Sequence, residues 1–354
     1  MVNSHLSSDI DEIVDRLGAT ANKLSGKVVL LTGARGFLGR YITNVFQVLN
    51  TRVLKSPVTL IGLDNLITSG IEGATIPEVT NTQFIKHNVI DKFNIDGGVD
   101  YVIHAAGIAS PYYYRAYPIE TLEVAIKGTQ NMLELANEKG ACFTFFSSSE
   151  IYGDPEPDKV PMSESYRGNV SCQGPRACYD ESKRVGETLC YIYNTKDKLH
   201  TNVIRPFNVY GPGMQESDYR VLPNFASKLK AGEAFNIYGE GFQTRTFCYV
   251  TDAILGFLLV ILKGASGEAY NIGNPEPEVS ILELAECIEK VLDKSIEVNL
   301  VEYPQSYPAD EPMRRSPDIS KARKNLGYTP TVELEDGIYR FFSWSDKSYS
   351  GKNT

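Results

Sequence analysis

The strongest constraint on this chain lies between residues 27 and 49. An apolar, β-branched run, "KVVLLTG", ends at Gly33 and passes at once into the helical pattern "GFLGRYITNVFQVL". Gly33, Gly36 and Gly39 sit on the turn in a G-x-x-G-x-x-G spacing. A chain turns that sharply from strand to helix, and lays its helix that close to the strand, where those positions carry no side chain. The open N–H groups and partial positive charge of such a helix start suit an anion, above all a pyrophosphate. Glycines are common in ordinary turns, so context carries the reading: strand before, helix after, and a second strand, "VTLIGLD", closing on Asp64. An acid there accepts hydrogen bonds from a ribose 2′-hydroxyl and repels a 2′-phosphate, which predicts NAD in preference to NADP. Arg35 either braces the phosphates, covers the adenosine or is solvated.

The alternation continues. "TQFIKHN" (82–88), "VDYVIHAA" (99–106), "CFTFFSSS" (142–149) and "TNVIRPF" (201–207) read as strands, and residues 118–140 and 176–194 as helices. Near-continuous apolar strands alternating with helices predict an α/β fold, a Rossmann-type doubly wound parallel sheet covered on both faces. After residue 207 glycines and prolines cluster in "YGPGM", "YGEGFQT" and "NIGNPEPE", which predicts a smaller C-terminal α/β substrate lobe. The expected division is an N-terminal helical extension (1–25), an NAD-binding domain (26–205), a substrate domain (206–345, open to being discontinuous) and a frayed tail (346–354). In residues 7–24, Ile10, Ile13, Val14 and Leu17 form one apolar stripe that docks on the main fold or on a partner subunit.

Bulk properties narrow the function classes. A length of 354 residues suits a domain plus a smaller lobe, and the net charge of −9 argues against nucleic acid or a membrane surface as partner. Any anionic ligand must meet locally placed arginines. Six cysteines without a CxxC pair, and four histidines, predict no metal site and a reducing, cytoplasmic setting. No apolar run approaches the roughly 20 residues of a membrane span.

The polar cluster that could do chemistry is split between two stretches. "FFSSSEIYG" ends the fifth strand with Ser148, Ser149 and Glu150, where ligands of doubly wound sheets sit. "GPRACYDESKR" then places Lys183 one helical turn after Tyr179. A free tyrosine ionises near pH ~10, too high for a base at neutrality. A nearby ammonium and an oxidised nicotinamide would favour the phenolate, and a serine hydroxyl could hold the reacting oxygen beside it.

These residues, with "SSEIYGDPE", "GPRACYDESKRVGET", "FNVYGPGM", "IYGEGFQTRTFCYVTD", "NIGNPE" and "SPDISKARKNLGYTP", resemble the extended short-chain dehydrogenase/reductases that act on nucleotide sugars. Within that family the chain is most similar to the UDP-glucuronate decarboxylases, over about residues 26–345. The resemblance implies that Tyr179 deprotonates the sugar 4-hydroxyl as NAD oxidises C4, with Lys183 tuning the phenolate and Ser148 holding the 4-oxygen. Oxidation makes a β-keto acid, which loses CO2, is protonated at C5 and is reduced again at C4 to UDP-xylose. Ser149 and Glu150 would flank the sugar, and Arg245 would lie by the uronate carboxylate.

The cofactor contacts expected on this pattern are Gly33, Arg35, Gly36, Phe37, Leu38, Gly39, Asp64, Asn65, Asn88, Val89, Ala105, Ala106, Gly107, Tyr179, Lys183 and Arg205. Those expected for a UDP-sugar are Ser110, Pro111, Tyr112, Arg176, Asn208, Arg220, Tyr238, Arg245 and Arg315. A homodimer built on helices 118–139 and 176–194 is also implied. The departures from the pattern are Asn88, Gly213, Tyr219 and the stretch Tyr112–Arg115, mostly on the substrate side. A 4-epimerase shares the first oxidation and stays open as the alternative. A 4,6-dehydratase would need an acid where Ser149 stands, and a silent NAD-binding scaffold would not need the Ser148–Tyr179–Lys183 set.

Overall fold

The computed structural model describes residues 4–69, 80–303 and 312–352. Six strands form where the apolar runs predict them: β1 (Val28–Thr32), β2 (Thr59–Asp64), β3 (Thr82–Lys86), β4 (Tyr101–His104), β5 (Cys142–Phe146) and β6 (Thr201–Pro206). A further strand, β11 (Glu268–Ile272), pairs with the outer edge of β6. All pairs are parallel, in the order β11-β6-β5-β4-β1-β2-β3. The order reverses between β1 and β4, so the ends of those two strands open a crevice.

Helices cover both faces. On one side α1 (Ser4–Leu17), α2 (Phe37–Arg52) and α8 (Val250–Lys263) share a core with β1. On the other, α5 (Thr129–Lys139) and α6 (Ala177–Asp197) pack on β4 and β5 through Met132, Leu133, Phe143, Phe145 and Cys190. Helix α8 is apolar all round, as a helix buried on every side must be, and 13 of its residues are buried. Gly39 lets α2 meet β1: a Cβ there would lie 2.1 Å from the Gly33 carbonyl oxygen.

Three segments bear on the division expected above. The chain leaves the sheet after β6 and returns with α8 and β11, so residues 250–272 belong to the sheet layer. The N-terminal segment is part of the same core, with Ile10, Ile13, Val14 and Leu17 all buried. Its Asp9 accepts hydrogen bonds from the Tyr41 and Tyr249 hydroxyls, and Arg16 pairs with Asp252 at 2.7 Å. The expected frayed tail is docked as far as it is described. Helix α11 (Leu334–Ser348) runs into it, and buried Tyr349 donates to the Met214 carbonyl at 2.9 Å. Tyr349 and the Ser350 and Gly351 amides, which donate to Glu216 at 2.8 and 2.7 Å, outweigh the polar composition that suggested fraying.

The expected helix over 118–140 is α4 (Pro118–Glu123), a wide π-type turn (Val124–Gly128) and then α5. That turn brings Gly128 against Val89, where a Cβ would meet Val89 Cγ2 at 2.8 Å. The remaining strands form short ribbons outside this sheet. These are β7 (Val209–Tyr210) with β10 (Cys248–Tyr249), β8 (Phe235–Tyr238) with β13 (Val298–Val301), and β12 (Val279–Ser280)-β9 (Thr244–Arg245)-β14 (Arg314–Arg315). Among the described residues no helix is long and apolar enough to cross a membrane.

Candidate active site

The cofactor side is built by backbone. Gly33 has a φ of 71° and lies so near the end of β4 that a Cβ would sit 2.9 Å from Ala105 carbonyl atoms. Gly36 is the N-cap of α2 and offers no side chain to cap it, so the first amides of the helix, at Phe37 and Leu38, face outward. Asp64 orders the rim: its Oδ2 accepts from the Arg35 amide at 2.9 Å and its Oδ1 from the Leu66 amide at 2.8 Å. The Arg35 guanidinium lies 4.0 Å over the Phe84 ring. Asn65 Oδ1 accepts from the Ile67 amide at 3.1 Å. Asn88 shapes the turn after β3, and buried Val89 forms the wall against Gly128. The Ala106 amide donates to Thr32 Oγ1 at 3.0 Å, and Gly107 leaves room for Lys183, whose Nζ would lie 2.9 Å from a Cβ there. A cradle lined by glycine, a helix start without a side-chain cap and a carboxylate at the end of β2 fit a dinucleotide.

The reactive groups converge from the end of β5 and the first turns of α6. Gly186 permits this closeness, since a Cβ there would stand 2.2 Å from the Phe145 ring. Lys183 is buried and its Nζ donates to the Phe146 carbonyl at 2.9 Å, 5.7 Å from the Tyr179 ring centre. Ser148 closes β5 and accepts from the Glu150 amide at 3.2 Å. Burial pushes Tyr179 up to about 12, opposed by a hydrogen bond with Ser148 and, through space, by Arg220. The expectation assigned that opposing influence to Lys183. Burial acts on the lysine too, bringing its ammonium down to about 8.

Glu150 stands at the centre of an arginine cluster. Arg315 holds it with two parallel bonds of 2.7 Å, Nη1 to Oε1 and Nη2 to Oε2, and Arg176 donates to Oε2 as well. The β9–β14 register sets Arg245 opposite Arg315, so two buried guanidinium side chains enter from adjacent strands. Burial works to raise the Glu150 carboxyl, but Arg176, Arg315 and Arg245 outweigh it and hold it at about 2. Ser149 is buried in the same turn.

Other expected residues fall as follows. Arg205 is committed to Glu187 (2.9 and 2.6 Å), the Tyr152 hydroxyl (2.7 Å) and the Glu164 carbonyl (3.1 Å). It braces the β5–β6 end; the structure does not place it with the glycine turn. Arg220 is gripped by Asp218 at 3.0 Å, Asn208 donates to the Thr246 carbonyl at 2.8 Å, and Tyr238 stacks on Tyr303 at 5.7 Å. Ser110 caps α3 (Pro111–Ala116) at Pro111, and its hydroxyl is buried without a partner among the described residues. Half-exposed Tyr112 stacks on Tyr219 at 5.3 Å across the cleft. Gly213 receives the Arg40 guanidinium on its carbonyl at 2.6 Å. Two further groups lie inside the site. Tyr114 stacks on Tyr179 at 5.3 Å, and Asp180 lies 3.8 Å from Arg176. The available signal for Asp180 was its place directly after the reactive tyrosine.

The dinucleotide cradle beside a Ser–Tyr–Lys set on a doubly wound sheet defines a short-chain dehydrogenase/reductase. Residues 29–273 match the model of the NAD dependent epimerase/dehydratase family, and the chain belongs to that family. It is 39% identical over 315 residues to UDP-glucuronic acid decarboxylase 1 of Xenopus tropicalis, covering 88% of this chain and 70% of that protein. To UDP-glucuronic acid decarboxylase 3 of Arabidopsis thaliana it is 38% identical over 312 residues, covering 88% and 86%. Among solved structures, UDP-glucuronic acid 4-epimerase from Bacillus cereus with UDP-glucuronic acid and NAD superposes with a TM-score of 0.76 at 26% identity. That match covers 91% of this chain and all of the other.

Proposed function

We propose that this protein is an NAD-dependent UDP-glucuronate decarboxylase that forms UDP-xylose. The observation that carries the reading is the convergence of Arg176, Arg315 and Arg245 on Glu150 beside Tyr179. One carboxylate faces three guanidinium groups there, and the surplus positive charge suits a second carboxylate, that of a uronate. When bound, NAD supplies the two-electron acceptor for C4 and returns those electrons at the end of the turnover. Gly33, Gly36, Gly39 and Asp64 would hold it. Tyr179 takes the 4-hydroxyl proton and later returns one, while Ser148 keeps the 4-oxygen in line. The carbonyl created at C4 makes the C5 carboxylate a leaving group, and Arg245 orients it. Arg220, Asn208 and Tyr238 line the nucleotide side.

Purified protein with catalytic NAD is expected to convert UDP-glucuronate to CO2 and a UDP-pentose, measured by mass spectrometry. UDP-galacturonate without CO2 would establish the 4-epimerase, which the likeness to the B. cereus enzyme keeps as the second reading. We also infer a cytoplasmic homodimer. The dimer contact is assigned to α4 to α6 because Ile119, Ile126, Tyr191 and Ile192 are exposed along them. Light scattering on the pure protein tests it.

A further inference from the structure

Decarboxylation takes up one proton at C5, and the groups around Glu150 differ sharply in whether they can give one. Glu150 is clamped as an anion, and a guanidinium group is no proton donor to carbon in a protein. Two buried groups next to this clamp are unused by the chemistry above. Asp180 follows Tyr179 on α6, is 7% exposed, and its Oδ1 has no hydrogen-bond partner among the described residues. The Tyr114 hydroxyl, 2% exposed as a residue and carried on α3 against the Tyr179 ring, is likewise unpartnered. A buried donor and a buried acceptor, both unmatched and near enough for the Asp180 charge to act on the Tyr114 hydroxyl, are the pattern that a bridging water satisfies.

We propose that Asp180 and Tyr114 form the proton store of the site, delivering through a bridging water the proton taken up at C5. The inference rests on the decarboxylase reading. Loss of CO2 breaks the bond from C5 to the carboxyl carbon and leaves its electron pair in an enolate over C4 and C5. C5 then takes the proton, Asp180 is left as a carboxylate, and solvent recharges it, so one proton is consumed per CO2. The charged and titratable groups that face Asp180 are Arg176 and Glu181 on its own helix, Glu150 from the turn after β5 and Arg315 from β14. Tyr114 from α3 faces it too, with Tyr179 and Cys178 next to Asp180 in the chain. Burial and the Glu150 charge together outweigh Arg176 and Arg315 and bring the Asp180 carboxyl up to about 7, where it can both hold and release a proton. Asp180 acts through water and is therefore a positioning residue.

The test is a single turnover of UDP-glucuronate on the NAD-loaded protein, timing CO2 and UDP-pentose separately across pH. Asp180→Asn should release CO2 near the wild-type rate, form the pentose about 10²-fold more slowly, and lose the pH dependence of that step near neutrality. Tyr114→Phe, which keeps the ring against Tyr179, should slow the same step about tenfold, and Asp180→Glu should restore part of it. Pentose formation by Asp180→Asn at the wild-type rate overturns the proposal. So does equal slowing of CO2 and pentose with an unchanged pH profile, which would mean that Asp180 only seats Arg176. If the wild type releases no CO2, the decarboxylase reading fails on its own. The store is then judged by infrared titration between about pH 5 and pH 9. A protonated-carboxyl band that titrates in the wild type and is missing from Asp180→Asn sustains Asp180 as a proton store but removes C5 as its acceptor, and no such band in the wild type overturns the store as well.

Discussion

Alanine at Gly39 and alanine at Gly36 should fail in different ways. A Cβ at Gly39 would lie 2.1 Å from the Gly33 carbonyl oxygen and 2.8 Å from Ala34 Cα. Both neighbours are backbone, so no side-chain rotation relieves the overlap, and α2 must retreat from β1 by about 1 Å to restore van der Waals distance. Overpacking of this kind costs about 1–3 kcal/mol, and the rigid contact puts Gly39→Ala at the upper end. That is a large share of the roughly 5–15 kcal/mol that holds a domain together. Gly36 has a φ of −71°, which alanine adopts freely, and its Cβ would approach the Gly33 oxygen only to 3.4 Å. Stability should therefore change by less than about 0.5 kcal/mol. The added methyl would instead stand over the helix start where a pyrophosphate must come close. A loss of about 1.4 kcal/mol in NAD binding, tenfold in Kd, is the minimum expected. Urea unfolding without nucleotide, paired with calorimetric NAD titration, reads both quantities. Wild-type stability in Gly39→Ala, or wild-type NAD affinity in Gly36→Ala, would refute the assignment of the turn.

Tyr179→Phe should keep the stacking on Tyr114 and the NAD affinity while kcat falls by about 10²–10⁴; turnover near the wild-type rate would remove Tyr179 from the chemistry. Arg205→Ala should destabilise by about 1–3 kcal/mol, since the half-buried Glu187 carboxylate loses its cation and keeps the Ser147 hydroxyl, and the folded fraction should bind NAD as the wild type does. Asp9 and Glu150 should tilt stability against pH in opposite senses. Burial lifts the Asp9 carboxyl from 3.8 to about 6 despite the Tyr249 and Tyr41 hydroxyls, so its contribution is full below 3.8 and is lost as pH rises through 6. The span corresponds to about 3 kcal/mol, and Asp9→Asn should flatten the fall seen in unfolding between those values. Glu150 is held at about 2 against 4.5 unfolded, so its stabilisation is present above 4.5 and lost as pH drops towards 2; Glu150→Gln should abolish that acid-side slope.

Much of the fold was legible because its determinants are local. A strand, three glycines and a helix start fit within a dozen residues, and β1, β2, β4 and β5 carry the near-continuous apolar runs that a twice-covered sheet demands, while β3 and β6 are more polar and are placed by the alternation around them. The seventh strand, β11, was not, since "EAYNI" differs little from any edge segment and earns its place only by pairing with β6. The same limit governs the site. Ser148, Tyr179 and Lys183 are expected from type and spacing, whereas the pairing of Arg205 with Glu187 joins two elements and leaves no local signal. Spacing also suggested that Lys183 tunes Tyr179, whereas burial, which belongs to the folded chain alone, is the largest influence on both.

Protonation is the property that sequence conveys least. Glu150 and Asp180 are both carboxylic acids within the reach of Arg176, and by residue type they should titrate alike. Folding gives Glu150 the bidentate Arg315 and the Arg245 charge as well, and leaves Asp180 buried with one long contact to Arg176, the more distant Arg315 charge and the repulsion of Glu150 itself. One acid is thereby held at about 2 and the other at about 7. Two acids on opposite sides of that range suit a site that binds an anion and delivers a proton, and they are separated by the guanidinium groups bonded to Glu150 on one hand and by burial and the Glu150 charge acting on Asp180 on the other.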